Sequence, residues 1–394
     1  MKSQKLHVLH LPSWYLPEGG QFCRNQVQAL NETGKVYASI LANVSISIRK
    51  YGLKAFGFSK KFILSREDGI DVFRNYHISF PFFKIRDAGN WSSETLKMFE
   101  AYCLQFGKPD LIHVHSVLWA GYAASLIKEK HNIPYIITEH RGIFGLSCDW
   151  AKNQFIEWQD EYMQQAFSNA DLIIPVSEKL IPKISSYLDR PVPMRVISNM
   201  VDTAFFYPKY KEKSKETIQA VMVNGFTYVK GYDILFPALD IAFERVDNLR
   251  ITIVGEDFHG EVFDKQWSQV RHKDRITLAG EKDKFGVRDA LWTADFFIIS
   301  SRVESQSVST LEALATGLPV VCTDVVPETI VNESNGLRVP VENVEKLSEA
   351  IISMSESYDS YDRLKLSDEI KKVADKKVVS GMLIDAYQSI INSK

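Results

Sequence analysis

The stretch "DFFIISSRVESQSVSTLEALATGLPVVCT", residues 295–323, reads as a strand, a polar loop, a helix and a second strand. DFFIIS (295–300) is a short apolar run of the kind that forms a strand buried on both faces. LEALA has helical composition, and Gly317 with Pro319 marks its end before the apolar run PVVCT (319–323). Two such strands joined through a helix are the unit of a parallel sheet, because parallel neighbours need a crossover connection. Two carboxylates, Glu304 and Glu312, lie around the start of that helix. Acidic groups suit a helix N-terminus, but that preference alone does not dictate this pattern.

The same grammar extends in both directions. Further strand candidates in the second half are IQAVMVNG (218–225), LRITIVG (249–255), RITLAG (275–280) and GLRV (336–339). In the first half they are LHVLHL (6–11), VYASILA (36–42), IDVFR (70–74), LIHVH (111–115), YIIT (135–138), LIIPV (172–176) and RVIS (195–198). Amphipathic stretches such as FCRNQVQAL and GYAASLIKEK lie between several of them. YPKYKEKSKET (207–217) is highly charged and nearly free of large aliphatics, as a linker or domain edge is. The expected class is α/β, with two doubly wound parallel-sheet domains facing across an interdomain cleft. We expect them over 1–205 and 206–377, with a helix over 378–394 packing back across both. Ligands of such sheets bind outside the carboxyl ends of the strands.

Composition narrows the class. A length of 394 residues suits two or three domains. With 45% hydrophobic and 24% charged residues the chain is ordinary for a soluble protein. A formal net charge of −2 gives no global electrostatic case for nucleic acid. Cys23, Cys103, Cys148 and Cys322 form no CxxC pair and read as free thiols in a reducing compartment. The first apolar run is broken by His and Pro, a poor signal peptide. No run approaches the about 18 apolar residues of a spanning helix. The expected location is cytoplasmic, or peripheral on the inner face of the membrane.

Several loops carry chemistry. In YLPEGGQFCRNQVQAL (15–30), Gly19 and Gly20 follow the first strand and precede a helix, where glycine permits close backbone approach and the helix start suits an anion. The spacing is neither GxGxxG nor GxxxxGK[ST], which disfavours dinucleotide and P-loop readings. His140, in IITEHRG, follows a strand end. His113 and His115 share a strand with no carboxylate cluster nearby, thin support for a metal, so none is expected. In VNGFTYVKGYDIL, Gly225 ends a strand and Lys230 stands beside Gly231 before a helix, a natural phosphate partner. Ser305, Gln306 and Ser307 open the helix after Glu304 and offer amide N–H groups. A carboxylate accepts hydrogen bonds in pairs, which suits vicinal hydroxyls. Glu304 and Glu312 are therefore read as one carboxylate for each sugar ring of a nucleotide sugar, with the diphosphate between them. RKYGLKAFGFSKKFILSR (49–66) interleaves Arg49, Lys50, Lys54, Lys60, Lys61 and Arg66 with Tyr51, Phe56, Phe58 and Phe62, a pattern suited to anionic lipid headgroups.

Taken in order, PEGGQF, IHVHS, TEH, DLIIPVSE, ISNMVDTAFF, KGYDIL, ITIVG, ADFFIISSRVES, TLEALATGLPVV and NGLRVPVENVEKLSEAI resemble the retaining glycosyltransferases of family 4, group 1, with the GT-B fold. The first loop is similar to members that build bacterial surface polysaccharides. The resemblance implies a nucleotide-diphosphate-sugar donor, a glycan or lipid-linked acceptor, and no cofactor or metal. It implies that Glu312 binds the ribose, Glu304 faces the transferred sugar and Lys230 neutralises the diphosphate. Amides at Ser305, Gln306 and Ser307 would approach phosphate or sugar, and His140 the donor sugar near the reacting carbon. Gly225 would belong to the donor loop, and Gly19 and Gly20 would close over diphosphate and acceptor. Two departures bear on this. Phe226 follows Gly225 where the family often has arginine, and Ser305-Gln306-Ser307 replaces Gly-Phe-Gly, putting side chains near the sugar. A nucleotide-sugar 2-epimerase of the same fold and a non-catalytic subunit are the alternative readings.

Overall fold

The computed structural model describes residues 5–17, 19–58, 62–79, 84–141, 157–209 and 216–393. The chain forms two compact units, Met1–Ser198 with Val379–Lys394, and Asn199–Val378.

The first unit is built on a seven-stranded sheet of spatial order β3-β4-β2-β1-β5-β6-β7. Its strands are β1 (Leu6–Pro12), β2 (Val36–Ser47), β3 (Ile63–Glu67), β4 (Ile70–Ser79), β5 (Leu111–His115), β6 (Tyr135–Glu139) and β7 (Leu172–Pro175). Helices α1 (Gln21–Glu32), α2 (Lys84–Phe106) and α3 (Tyr122–His131) connect successive strands. Helix α1 buries Cys23, Gln26, Val27 and Leu30, a stripe at three- and four-residue spacing. The strands between are nearly all buried, Val8, Leu9, Ile112, Val114 and Ile137 among them. Two expectations need correction. The sheet is not wholly parallel, because β3 pairs antiparallel with β4 at the edge. It is largely exposed, so ILSRE lacks the apolar run that marks a buried strand. RVIS is not a strand. Arg195 and Ile197 donate to the Ile173 and Pro175 carbonyls at 3.0 and 3.2 Å, but Pro175 has no N–H to return the next bond, so among the described residues a single bridge, Met194 with Ile173, is all that forms.

The second unit carries six parallel strands in the order β10-β9-β8-β11-β12-β13. They are β8 (Ile218–Val223), β9 (Leu249–Val254), β10 (Ile276–Gly280), β11 (Phe296–Ile299), β12 (Val320–Thr323) and β13 (Gly336–Val339). Helix α4 (Tyr232–Arg245) follows β8, and α5 (Val308–Ala315) joins β11 to β12. Every residue of β11 is fully buried. Burying a large apolar side chain is worth about 1.5–3 kcal/mol, which fixes this run at the sheet centre. Phe297 pairs with Val320, so residues 295–323 form the parallel unit their pattern predicts. The last helix, α6 (Lys376–Asn392), starts in the second unit, and from Val379 onward its residues belong to the first.

Strand order reverses once in each sheet, between β1 and β5 and between β8 and β11. Loops leaving the carboxyl ends at such points are where doubly wound sheets hold ligands. Among the described residues Cys23, Cys103 and Cys322 form no disulfide, and Cys148 lies outside them. Among the described residues no helix is long and apolar enough to cross a membrane.

Candidate active site

In the second unit, the loop after β8 is fitted onto the end of β11. Gly231 has φ +67°, and a Cβ there would lie 2.3 Å from the carbonyl oxygen of Ser300. Only glycine tolerates that approach. The Ser300 hydroxyl in turn donates to the Lys230 carbonyl at 2.8 Å. Lys230 and Glu304 are thereby brought together: Nζ donates to Glu304 Oε1 at 2.7 Å, and the Ser301 hydroxyl donates to the same oxygen at 2.8 Å. The lysine side chain is 25% exposed and the glutamate 8%. The second carboxylate oxygen has no partner among the described residues, so the pair retains acceptor capacity.

Arg302, which sequence reasoning missed, braces this arrangement. Its guanidinium makes two bonds to Asp233 at 2.8 and 2.7 Å, a third to Glu342 at 2.7 Å and a fourth to the Tyr228 carbonyl at 2.8 Å. It also lies over the Tyr228 ring at 4.0 Å. A planar fork with four of its five donors committed in this way holds the Lys230 loop against the start of α4. Its only sequence signal is an arginine two positions before Glu304.

Glu312 is half-buried on α5, and no hydrogen bond or ion pair is found for its carboxylate among the described residues. Burial pushes its carboxyl up to about 8. A lone acid in that state favours a ligand that offers it hydrogen-bond donors.

The Ser305–Ser307 run behaves differently from expectation. All three residues are buried. Gln306 Oε1 accepts from the Asn199 amide at 2.5 Å, and the Gln306 carbonyl accepts from Asn199 Nδ2 at 3.1 Å. Ser307 Oγ caps α5 by accepting from Thr310 N–H at 3.2 Å. The Gln306 and Ser307 side chains therefore tie the loop down rather than standing open beside a sugar, which corrects the consequence drawn from the missing glycines. Phe226 likewise has a packing role, its ring 5.1 Å from those of Tyr232 and Phe263. A Cβ at Gly225 would meet Glu256 at an ordinary 3.4 Å, so the backbone does not demand glycine there.

In the first unit, Gly19 and Gly20 have φ +95° and +83°. A Cβ on Gly20 would lie 2.5 Å from the Trp14 carbonyl oxygen, so the turn into α1 requires glycine. The Arg141 guanidinium lies over the Trp14 ring at 4.8 Å. Ser13 Oγ donates to the Ser116 carbonyl at 2.7 Å and accepts from Ala120 N–H at 3.1 Å, joining the loops after β1 and β5. His140 leaves β6 with its ring 4.2 Å from that of Phe22 and with Nε2 3.2 Å from His115 Nδ1. Glu139, also missed from sequence, is fully buried and accepts from the Val117 and Arg141 amides at 2.8 Å each. Burial pushes its carboxyl up.

His113 is held by the Tyr387 hydroxyl and Thr138 Oγ1, both at 2.7 Å. A grouping of metal-ligating type exists elsewhere, where ligand atoms of His10, Cys23 and His115 lie within 4.8 Å of one another, all buried. His10 Nδ1 and His115 Nε2 are already 2.9 Å apart in a hydrogen bond. Burial takes His10 down to about 3 and raises the Cys23 thiol, leaving both neutral.

The 49–66 segment is a helical turn, a 3₁₀ turn over Gly52–Gly57 and then β3. Phe58 packs against Tyr51 and Tyr76, and Phe62 against Phe73. Leu53 (85% exposed) and Phe56 (57%) stand out from the surface instead. Lys60 and Lys61 lie outside the described residues.

Two units built on mainly parallel sheets, each with its candidate loops at the switch point, define a Rossmann-like pair of the GT-B class. The description "Glycosyltransferase Family 4" matches residues 53–205 and "Glycosyl transferases group 1" matches residues 218–357. The chain belongs to the family 4, group 1 glycosyltransferases. It is 26% identical over 363 residues to TuaC, the Bacillus subtilis glycosyltransferase assigned to teichuronic acid biosynthesis, covering 86% of each chain. Among solved structures it is similar to sucrose-phosphate synthase from Thermosynechococcus elongatus, with TM-score 0.80 at 17% identity, over 98% of this chain and 100% of that one. It is also similar to Anabaena HepE in complex with UDP and glucose, with TM-score 0.73 at 15% identity, over 98% and 100%.

Proposed function

We propose that this glycosyltransferase moves a sugar, with retention of anomeric configuration and without a metal, from a nucleotide-diphosphate-sugar donor to a glycan or lipid-linked saccharide in surface polysaccharide biosynthesis. The observation that carries the reading is the Lys230–Glu304 pair at the switch point of the second sheet. A lysine held on one loop supplies positive charge where a leaving diphosphate builds negative charge. The carboxylate beside it, with one oxygen free, accepts from sugar hydroxyls. Glu312, without a partner of its own, takes the ribose diol. The first amides of α5 add donors of the kind phosphate uses. Gly19, Gly20 and His140 serve the acceptor and the transferred sugar from the first unit. The relative assigned to teichuronic acid biosynthesis supports the polysaccharide assignment, and the neighbour holding UDP and glucose makes UDP-sugars the first donors to try.

Thermal stability with UDP, GDP, ADP and CMP and their sugar conjugates, in EDTA, tests the donor half. A ligand at about 100 times its dissociation constant adds about 2.7 kcal/mol, a plain melting shift. One nucleotide family should shift the transition with the metal chelated, and no shift with any of them overturns the donor reading. The anomeric configuration of the product, read by NMR, tests retention. The acceptor half predicts peripheral attachment through Leu53 and Phe56 flanked by Lys50 and Lys54. Flotation with anionic liposomes should fall on Lys50→Ala/Lys54→Ala and on Phe56→Ser. Flotation unaffected by both would remove that attachment site.

A further inference from the structure

We propose that His115 and His10 are positioning residues that hold His140 in its Nδ1–H tautomer, with Nε2 committed as an acceptor. The effect on turnover rests on the reading of His140 as the donor-sugar contact, whereas the tautomer itself does not.

Three neighbouring strands supply the chain. His10 is on β1, His115 on the adjacent β5, and His140 directly follows β6. His10 Nδ1 is 2.9 Å from His115 Nε2, and His115 Nδ1 is 3.2 Å from His140 Nε2. The ring planes lie within 23° and 17° of parallel, with centroids 5.2 and 5.4 Å apart, the edge-to-edge arrangement an in-plane N–H···N bond requires. The His113 ring packs against those of His10 and His115, at 4.8 and 4.5 Å, but takes no part, because its nitrogens are occupied by Tyr387 and Thr138. His10 and His115 are buried and neutral.

A neutral imidazole carries one proton, and each nitrogen–nitrogen hydrogen bond holds one. Only two arrangements satisfy both bonds. In the first, His10 donates from Nδ1 to His115, and His115 donates from Nδ1 to His140. In the second, every proton sits on Nε2 and donation runs the other way. The far end of the chain separates them. His10 Nε2 is buried and has no partner among the described residues. The second arrangement places an N–H there with no acceptor, the rarer kind of buried defect. The first leaves only an unused lone pair there, the lesser cost. The first arrangement is therefore favoured. His140, clamped between Phe22 and His115, keeps its own proton on Nδ1. Its Nε2 is therefore unavailable as a base.

The test uses the full chain with ¹⁵N-labelled histidine at pH 8, with His140→Gln identifying the His140 signals. The His140 ¹⁵N shifts should be of the protonated type at Nδ1 and the unprotonated type at Nε2. His10→Asn places an amide N–H where Nδ1 stood and should keep that pattern. His10→Leu should average it and lower kcat about tenfold, the smaller end of what losing the partner behind an oriented histidine costs. Donor KM should stay within about twofold. A proton on His140 Nε2 in the unaltered protein, or His140 shifts unchanged in His10→Leu, overturns the proposal. So does stoichiometric zinc or copper by elemental analysis, since His10, Cys23 and His115 would then be its ligands. Should His10→Leu fail to fold, the spectrum of the unaltered protein still decides. If the tautomer is found as stated while His140→Ala retains full transfer, the relay stands and the donor-sugar role of His140 falls.

Discussion

Glu312 gives the sharpest prediction. Its carboxyl has an ordinary value of 4.5 and is pushed to about 8 by burial. In the unfolded chain it ionises from about pH 4.5, in the folded protein only near 8. Between those values the folded state binds the extra proton, so stability falls as pH rises through that window and levels off above 8. At full desolvation the cost at pH 7 is about 3 kcal/mol. A half-buried side chain keeps some water, so about 1–2 kcal/mol is expected. Glu312→Gln should recover that amount, raising Tm at pH 8 and leaving it unchanged at pH 4. If Glu312 takes the ribose diol as proposed, the hydroxyls donate to the ionised acid, so donor binding must expel the proton. From pH 6 to 8 the ionised fraction rises from about 1% to about a half, and affinity should tighten by up to about fiftyfold. A nucleotide sugar is the right probe, because its diphosphate diester does not titrate there. Glu312→Gln should abolish the slope and bind about tenfold or more weakly at pH 8, the scale of a charge-assisted hydrogen bond. Calorimetry in two buffers of different ionisation enthalpy reads both affinity and proton release. A flat affinity from pH 6 to 8, or the same slope in Glu312→Gln, would refute the reasoning.

Glu304→Gln leaves Lys230 without its anionic partner and should lower kcat far more than it weakens nucleotide binding, and the reverse split in kinetics and calorimetry would move Glu304 away from the transferred sugar. Gly231→Ala puts a Cβ 2.3 Å from a backbone oxygen at φ +67°, and should cost about 1–3 kcal/mol, seen as a lower denaturant midpoint, whereas an unchanged midpoint would show that the loop is not fixed on β11. His140→Ala should keep Tm within about one degree while transfer falls by about a hundredfold, and a large loss of Tm would instead make it a structural histidine.

Much of the fold was legible because its signals are local. Unbroken apolar runs such as DFFIIS and PVVCT, with a helix and Gly317 between them, specify a parallel unit wherever they occur. Edge strand β3 escaped because an exposed strand carries no such run, and RVIS misled because its neighbour β7 ends in Pro175, which has no N–H to return the next ladder bond. The candidate site residues were legible for the same reason: Lys230 and Glu304 each follow a readable strand, on the loops where sheets of this kind hold ligands. Residues whose role depends on a distant partner were not. Arg302 acts through Asp233 and Glu342, and the buried Glu139 through backbone amides.

By itself, then, the sequence determined the strand–helix alternation, the loops that matter and the charges on them. Tertiary structure alone decided that Lys230 meets Glu304, 74 positions away, and that His10 meets His115 across 105 positions. It also turned Gln306 inward onto Asn199. Periodicity and turn chemistry are fixed within a few residues, whereas sheet order and register set which side chains share a hydrogen bond, and those are settled only when the whole core packs.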